Sequence, residues 1–147
     1  MVDARYANAV DNDGATQIPP TLQQFAETFQ NDLQSTLGID IPLTSSMTAA
    51  PNSIFFTLTN ETGFHDAAGR NTSEAYTLTI NEDGVEIAGA SPLGAWWGSR
   101  SLIQAAVVSG HTLPQGSAVD APGWTTRGIM VCASLAELLP RVVTYFN

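Results

Sequence analysis

Between Ala75 and Ile87 the residue order leaves few conformations open. Tyr76, Leu78 and Ile80 alternate with Thr77 and Thr79, the period-two pattern of a half-buried strand. Asn81-Glu82-Asp83-Gly84 follows as a turn, and Val85-Glu86-Ile87 resumes the alternation, so the two runs read as a hairpin. Tyr76, Leu78, Ile80, Val85 and Ile87 then share one face, with Thr77, Thr79 and Glu86 on the other. A sheet with one apolar face must be covered. Two segments can cover it. The first opens at Pro19-Pro20-Thr21 and places Leu22, Phe25, Phe29, Leu33 and Leu37 on one helical stripe before Gly38, with Gln23, Gln24, Glu27, Gln30 and Asp32 toward water. The second is capped by Ser91 with Pro92 at its first position, and ends at Gly110. Leu93, Trp96, Trp97, Arg100, Ile103 and Val107 are expected to line its inner side. Gly94 and Gly98 lie four apart in this helix, where glycine costs about 0.5–1 kcal/mol relative to alanine, so close packing is the expected reason. Ser53 to Thr59 reads as a further strand, after a polar link at residues 44–52. The fold class expected is α+β, an antiparallel β-sheet with two helices packed on one face.

The 147 residues amount to about one domain. They carry 14 acids against five arginines and no lysine, a net charge of −9. Such a chain repels phosphates and anionic headgroups, so nucleic acid and membrane surfaces are not expected partners. No run approaches a membrane span. Met1-Val2-Asp3-Ala4-Arg5 has neither a basic n-region nor an apolar h-region, so no signal peptide is read here. Asn60-Glu61-Thr62 and Asn71-Thr72-Ser73 match the N-glycosylation acceptor pattern, which matters only on a secretory route.

Residues able to carry chemistry are few. Cys132, the single cysteine, sits in the apolar run Ile129 to Ala133 and reads as a buried thiol. His65 and His111 lack metal-ligand spacing, and no cofactor or metal is expected. Glu82-Asp83 reads as a solvated turn. Arg100 reads as an arginine laid along the apolar helix or the sheet, and Trp96 and Trp97 as core. Residues 111–126 read as a linker. A strand from Gly128 to Ala133 and an apolar helical tail from Leu135 to Phe146 follow, the tail opened by a Ser134…Glu137 capping box and kinked at Pro140.

Glu74 to Ile80, Asp83 to Ile87, Ala90-Ser91-Pro92-Leu93-Gly94-Ala95-Trp96-Trp97-Gly98 and Ser101-Leu102-Ile103-Gln104 together resemble the N-terminal domain of family 20 glycoside hydrolases, the β-N-acetylhexosaminidases. Asp120-Ala121-Pro122, Trp124 and Arg127-Gly128-Ile129-Met130 resemble the family's approach to its catalytic barrel. Ile18 to Thr21 with Phe25-Ala26 and Thr28-Phe29 is similar to fungal members. The likeness covers roughly residues 4–131. It implies a parent enzyme that removes terminal N-acetylhexosamine from chitin oligomers and glycoconjugates, with the substrate's acetamido oxygen as nucleophile and an Asp-Glu pair on the barrel supplying the acid. It also implies that Arg127 hydrogen-bonds sugar hydroxyls in an intact parent, that Trp124 plugs the seam with the barrel, and that the parent enters the secretory or extracellular space.

This sequence departs from the pattern after Met130. It continues Val131-Cys132-Ala133-Ser134-Leu135, where members carry Leu-Asp and then an Arg-His pair, and it contains no Asp-Glu dipeptide. A (β/α)₈ barrel needs about 250 residues. The division expected is an accessory domain at 1–118 and, at 119–147, a linker with the truncated start of the barrel, a remnant strand and helix. On this reading no catalytic residue is present and Arg127 is the one substrate-binding position carried over. The expected partners are the parent's catalytic barrel or a partner chain, N-acetylglucosamine-containing glycans, or a second copy through the apolar tail. Two other readings stand beside it: a non-catalytic glycan- or protein-binding module with the accessory fold, and an enzyme of another kind.

Overall fold

The computed structural model describes residues 1–11, 18–124 and 127–128. The elements in chain order are β1 (Val2–Asp3), α1 (Leu22–Leu37), β2 (Ser45–Ser46), β3 (Ser53–Leu58), β4 (Tyr76–Asn81), β5 (Gly84–Gly89), α2 (Pro92–Val108) and β6 (Gly116–Asp120). The strands form one sheet in the order β2-β1-β3-β5-β4-β6.

The hairpin forms as its sequence dictates. Asn81 Oδ1 accepts from the amides of Asp83 (2.9 Å) and Gly84 (3.1 Å), closing the turn through a side chain. β4 and β5 pair antiparallel with Leu78 opposite Ile87 and Ile80 opposite Val85, which puts the expected apolar set on one face.

The sheet is mixed, not antiparallel throughout. β4 pairs antiparallel with β5 and β6, but β1 is parallel to β2 and β3, and β3 is parallel to β5. Side-chain alternation decides which face a residue takes and says nothing about strand direction. Direction follows from the connections. α1 carries the chain from β1 to its parallel neighbour β2, and the long loop after β3 puts β4 on the far side of β5.

Both helices pack on one face, as expected. α1 lies against β1 and β3, α2 against β4 and β5, and the helices touch each other. Val2, Leu22, Ala26, Phe29, Leu33, Phe56, Ile87, Ala95 and Leu102 form the buried core. The rings of Phe29 and Phe56 meet at 5.1 Å, tilted by 58°. The start of α1 is a capping box: Gln24 N–H donates to Thr21 Oγ1 (3.2 Å) while Thr21 N–H donates to Gln24 Oε1 (2.9 Å). Gly38 ends it with a left-handed φ of 68°.

α2 buries a different stripe from the one expected. Gly94, Ala95, Gly98, Ser99, Leu102 and Ala106 face inward, while Trp96 and Trp97 are half-buried at the flanks and Val107 is 51% exposed. The helix is apolar around most of its circumference, so periodicity cannot choose its face; closeness of approach does. A Cβ at Gly94 would come under 3.0 Å from the carbonyl oxygen of Ala75, so only glycine lets the helix sit this low on β4.

Two further expectations change. Gly116–Asp120, read as linker, is the edge strand β6, and the 118/119 division runs through it. All five residues of β6 are exposed, so it has no apolar alternation to read. Asp32, expected to face water, turns toward α2 and pairs with Arg100. The strand from Gly128, the tail from Leu135 to Phe146 and Cys132 lie outside the described residues, apart from Gly128 itself.

Candidate functional site

Chemistry-bearing side chains gather where the loop between β3 and β4, the flank of α2 and the chain leaving β6 meet. Asp66 organises the loop. Its Oδ1 accepts from the amides of Ala68 (2.9 Å) and Arg70 (3.0 Å), and its Oδ2 accepts from Arg70 Nε (2.8 Å) and Nη2 (2.6 Å). The Arg70 guanidinium beside Asp66 holds that carboxyl below the usual range. Arg70 in turn lies 5.8 Å from the ring centre of Trp124, just past β6.

Glu74 enters the sheet one residue before the buried Ala75, and its residue is only 8% exposed. Its Oε2 accepts from Trp97 Nε1 at 2.7 Å and from Nη2 of Arg127, which also forms an ion pair with it. The Arg127 guanidinium lies 4.9 Å over the Trp97 ring, and its Nη1 donates to the carbonyl of Trp124. Arg127, the substrate-binding position taken from the resemblance, therefore sits against Glu74 and Trp97. Sequence reading missed Glu74. The available signal was charge scarcity: with five arginines against 14 acids, the partner of each arginine is informative.

The neighbouring Tyr76 ties three elements together. Its hydroxyl lies 2.6 Å from Ser101 Oγ on α2 and donates to Asp120 Oδ2 on β6 at 3.1 Å. Burial pushes its phenol up from the ordinary range. The N-terminus of α2 is fixed from the other side, where Ser91 Oγ donates to Asp11 Oδ2 at 2.6 Å and accepts from Gly94 N–H at 3.3 Å.

Other expected positions lie elsewhere. Arg100 bridges the helices: it pairs with Asp32 on α1 and lies 3.8 Å from the ring centre of Trp96, which stacks on Phe25 at 5.2 Å. This is a helix-to-helix tie, not a sheet contact. Asn60 and Asn71 are both exposed, and Glu61 and Thr62 line the same open hollow of about 360 Å³ as Asn71, Thr72 and Ser73. His65 is exposed in the loop and forms a bridge with Asn71, while His111 follows α2 with a φ of 71°. Among the described residues no group of three His, Cys, Asp or Glu side chains could hold a metal ion, and no helix is long and apolar enough to cross a membrane. The Glu74 carboxylate is thus held by an indole N–H and a guanidinium.

The family model for glycosyl hydrolase family 20, domain 2, matches residues 7–121. A lacto-N-biosidase from Bifidobacterium bifidum is 35% identical over 60 residues, which is 41% of this chain and 5% of that protein. An inactive variant of a family 20 exo-β-N-acetylglucosaminidase from Vibrio harveyi aligns over 57% of this chain and 11% of its own, at 21% identity and a TM-score of 0.38. A family 115 4-O-methyl-α-glucuronidase with specificity for decorated arabinogalactans aligns over 56% and 11%, at 18% identity and a TM-score of 0.37. The chain thus spans a small part of the relatives it matches. Family 20 enzymes are commonly secreted or extracellular. The match runs from Ala7, ahead of α1, to Ala121, just beyond β6, and the chain therefore belongs to glycosyl hydrolase family 20, domain 2, the non-catalytic accessory domain of hexosaminidases.

Proposed function

We propose that this chain serves as the accessory domain of a secreted glycosidase that removes terminal N-acetylhexosamine, docking on the catalytic barrel and supplying no proton donor of its own. The observation that carries the reading is the coincidence of the family match at 7–121 with the folded layers from α1 through β6. The lacto-N-biosidase relative, itself named as a glycosidase, supports the reading of a sugar-cleaving parent. On this reading the barrel supplies the acid and the residue that orients the acetamido group. Arg127 supplies a planar fork of donors suited to vicinal hydroxyls. The parent enters the secretory path, where the exposed Asn60 and Asn71 are open to glycan transfer.

The purified chain, incubated with a chromogenic N-acetyl-β-glucosaminide, is expected to release no chromophore above the buffer rate. Enzymatic turnover by the chain alone overturns the proposal. Micromolar binding to chitin oligomers without turnover would instead favour a glycan-binding module with the same fold.

A further inference from the structure

We propose that the two N-glycan acceptors differ in when they can be used: Asn60 accepts a glycan after the domain has folded, whereas Asn71 accepts one only before folding. Both asparagines are exposed, so a glycan on either fits the folded surface. What separates them is the hydroxyl two residues on. The acceptor pattern demands Ser or Thr there, because the transferring enzyme must bind that hydroxyl to seat the asparagine. A hydroxyl already held inside the fold is closed to it.

Asn60-Glu61-Thr62 lies just past the end of β3, outside any helix or strand. Thr62 is exposed, and its hydroxyl bonds to none of the described residues. Asn71-Thr72-Ser73 is held at every residue. Asn71 bridges His65, Thr72 N–H donates to the Phe64 carbonyl at 3.1 Å, and Thr72 Oγ1 accepts from Glu74 N–H at 3.1 Å. Ser73 Oγ donates to Asp11 Oδ2 at 2.9 Å, and the same oxygen accepts from Ser91 Oγ at 2.6 Å. Hydrogen bonds to a carboxylate are the stronger kind. Asp11 is only 9% exposed and follows Val10, which bridges Thr21 at the start of α1, while Ser91 caps the start of α2. Releasing the Ser73 hydroxyl therefore opens a clasp that joins the starts of both helices. Transfer joins the asparagine Nδ2 to the anomeric carbon of a lipid-linked oligosaccharide. The bond from that carbon to the diphosphate oxygen breaks, the lipid diphosphate leaves with the electron pair, and the amide proton passes to a base on the transferase.

Purified oligosaccharyltransferase and a lipid-linked oligosaccharide donor, added to the purified folded chain, provide the test. Mass spectrometry quantifies the glycan at each asparagine. Synthetic peptides spanning residues 57–65 and 68–76 set the unfolded rate for each acceptor, which removes the intrinsic difference between Thr and Ser. Each relative to its own peptide, Asn71 in the folded chain is expected to react at least about tenfold more slowly than Asn60, because its rate tracks the fraction of molecules in which the clasp is open. Asp11→Ala removes the acceptor and should raise transfer to Asn71 while leaving Asn60 unchanged. Far-UV circular dichroism and the urea midpoint show whether that variant is folded, and the comparison within the parent chain stands without it. Equal relative rates at the two asparagines overturn the assignment, as does refusal of Asn60 by the folded chain, or a folded Asp11→Ala variant that still excludes Asn71. Use of either acceptor in the cell rests on the secretory reading above, but the ratio is measured outside the cell. Turnover of a glucosaminide by the chain alone would overturn the glycosidase reading and leave the ratio standing.

Discussion

Replacing Gly94 with alanine tests the packing of α2 most directly, because two opposing effects of known sign meet at one atom. In an open helix, alanine is favoured over glycine by about 0.5–1 kcal/mol. Here the added Cβ would come under 3.0 Å from the Ala75 carbonyl oxygen and 3.1 Å from its carbon. That oxygen cannot swing aside, because it accepts from Ala90 N–H at 2.8 Å at the junction of β4 and β5. The helix must rise instead, which loosens the contacts of Ala95, Gly98 and Leu102. Forcing atoms into a filled core costs about 1–3 kcal/mol, occasionally more. A backbone obstacle belongs at the upper end of that range, which leaves a net loss of about 2 kcal/mol. With a urea slope of about 1–3 kcal/mol/M, the midpoint should fall by roughly 1 M. Gly98→Ala should cost less, since its Cβ would meet side-chain atoms that can shift, Ile87 Cγ2 at 2.7 Å and Tyr76 Cδ2 at 2.9 Å. Gly116→Ala has nothing within 4 Å and should stay within about 0.5 kcal/mol of the parent chain. Urea unfolding followed by circular dichroism and tryptophan fluorescence measures all three. A Gly94→Ala midpoint at or above that of the parent, or one higher than that of Gly98→Ala, would refute the reasoning.

Asp3 is fully buried on the face away from the helices, bound by Arg5 and by Thr57 Oγ1 at 2.7 Å. Its hydrogen bonds to Arg5, and less so to Thr57, hold its carboxyl down from 3.8 to about 2. A lowered folded value means the stability is present above the unfolded value and lost on acidification, so it should fade as pH drops from 3.8 to about 2. Asp3→Asn should flatten that part of the pH–stability curve and cost about 1 kcal/mol at neutral pH, discounted because Arg5 is largely exposed; an unchanged acid limb counts against the assignment. Phe56, 1% exposed against Phe29, should lose about 3–5 kcal/mol on truncation to alanine, read as a midpoint shift. A loss under about 1 kcal/mol would mean the core repacks around it. Expressed through a eukaryotic secretory host, the chain should gain glycan mass that N-glycosidase removes, and Asn60→Gln should lower it; an unmodified product would count against use of this acceptor.

Much of the molecule was legible because its determinants are local. The hairpin from Tyr76 to Ile87 needs only alternation and a turn that Asn81 can close. α1 begins and ends where Thr21, Gln24 and Gly38 supply the missing partners or the left-handed φ. The close approach at Gly94 and Gly98 was foreshadowed by their cost inside a helix. Glu74 escaped notice because its significance depends on a residue 53 positions away.

The sequence by itself determined which residues alternate, where the helices start and stop, and that two helices must roof one face of a sheet, since each follows from spacing and capping within a few residues. The tertiary structure alone decided that the sheet is mixed, that α2 turns its small residues inward, that Gly116–Asp120 completes the edge, and that Arg127 meets Glu74 and Trp97. Strand direction, helix rotation and long-range charge pairing are settled by which surfaces can approach most closely once the chain is compact, and no short window of residues contains that information.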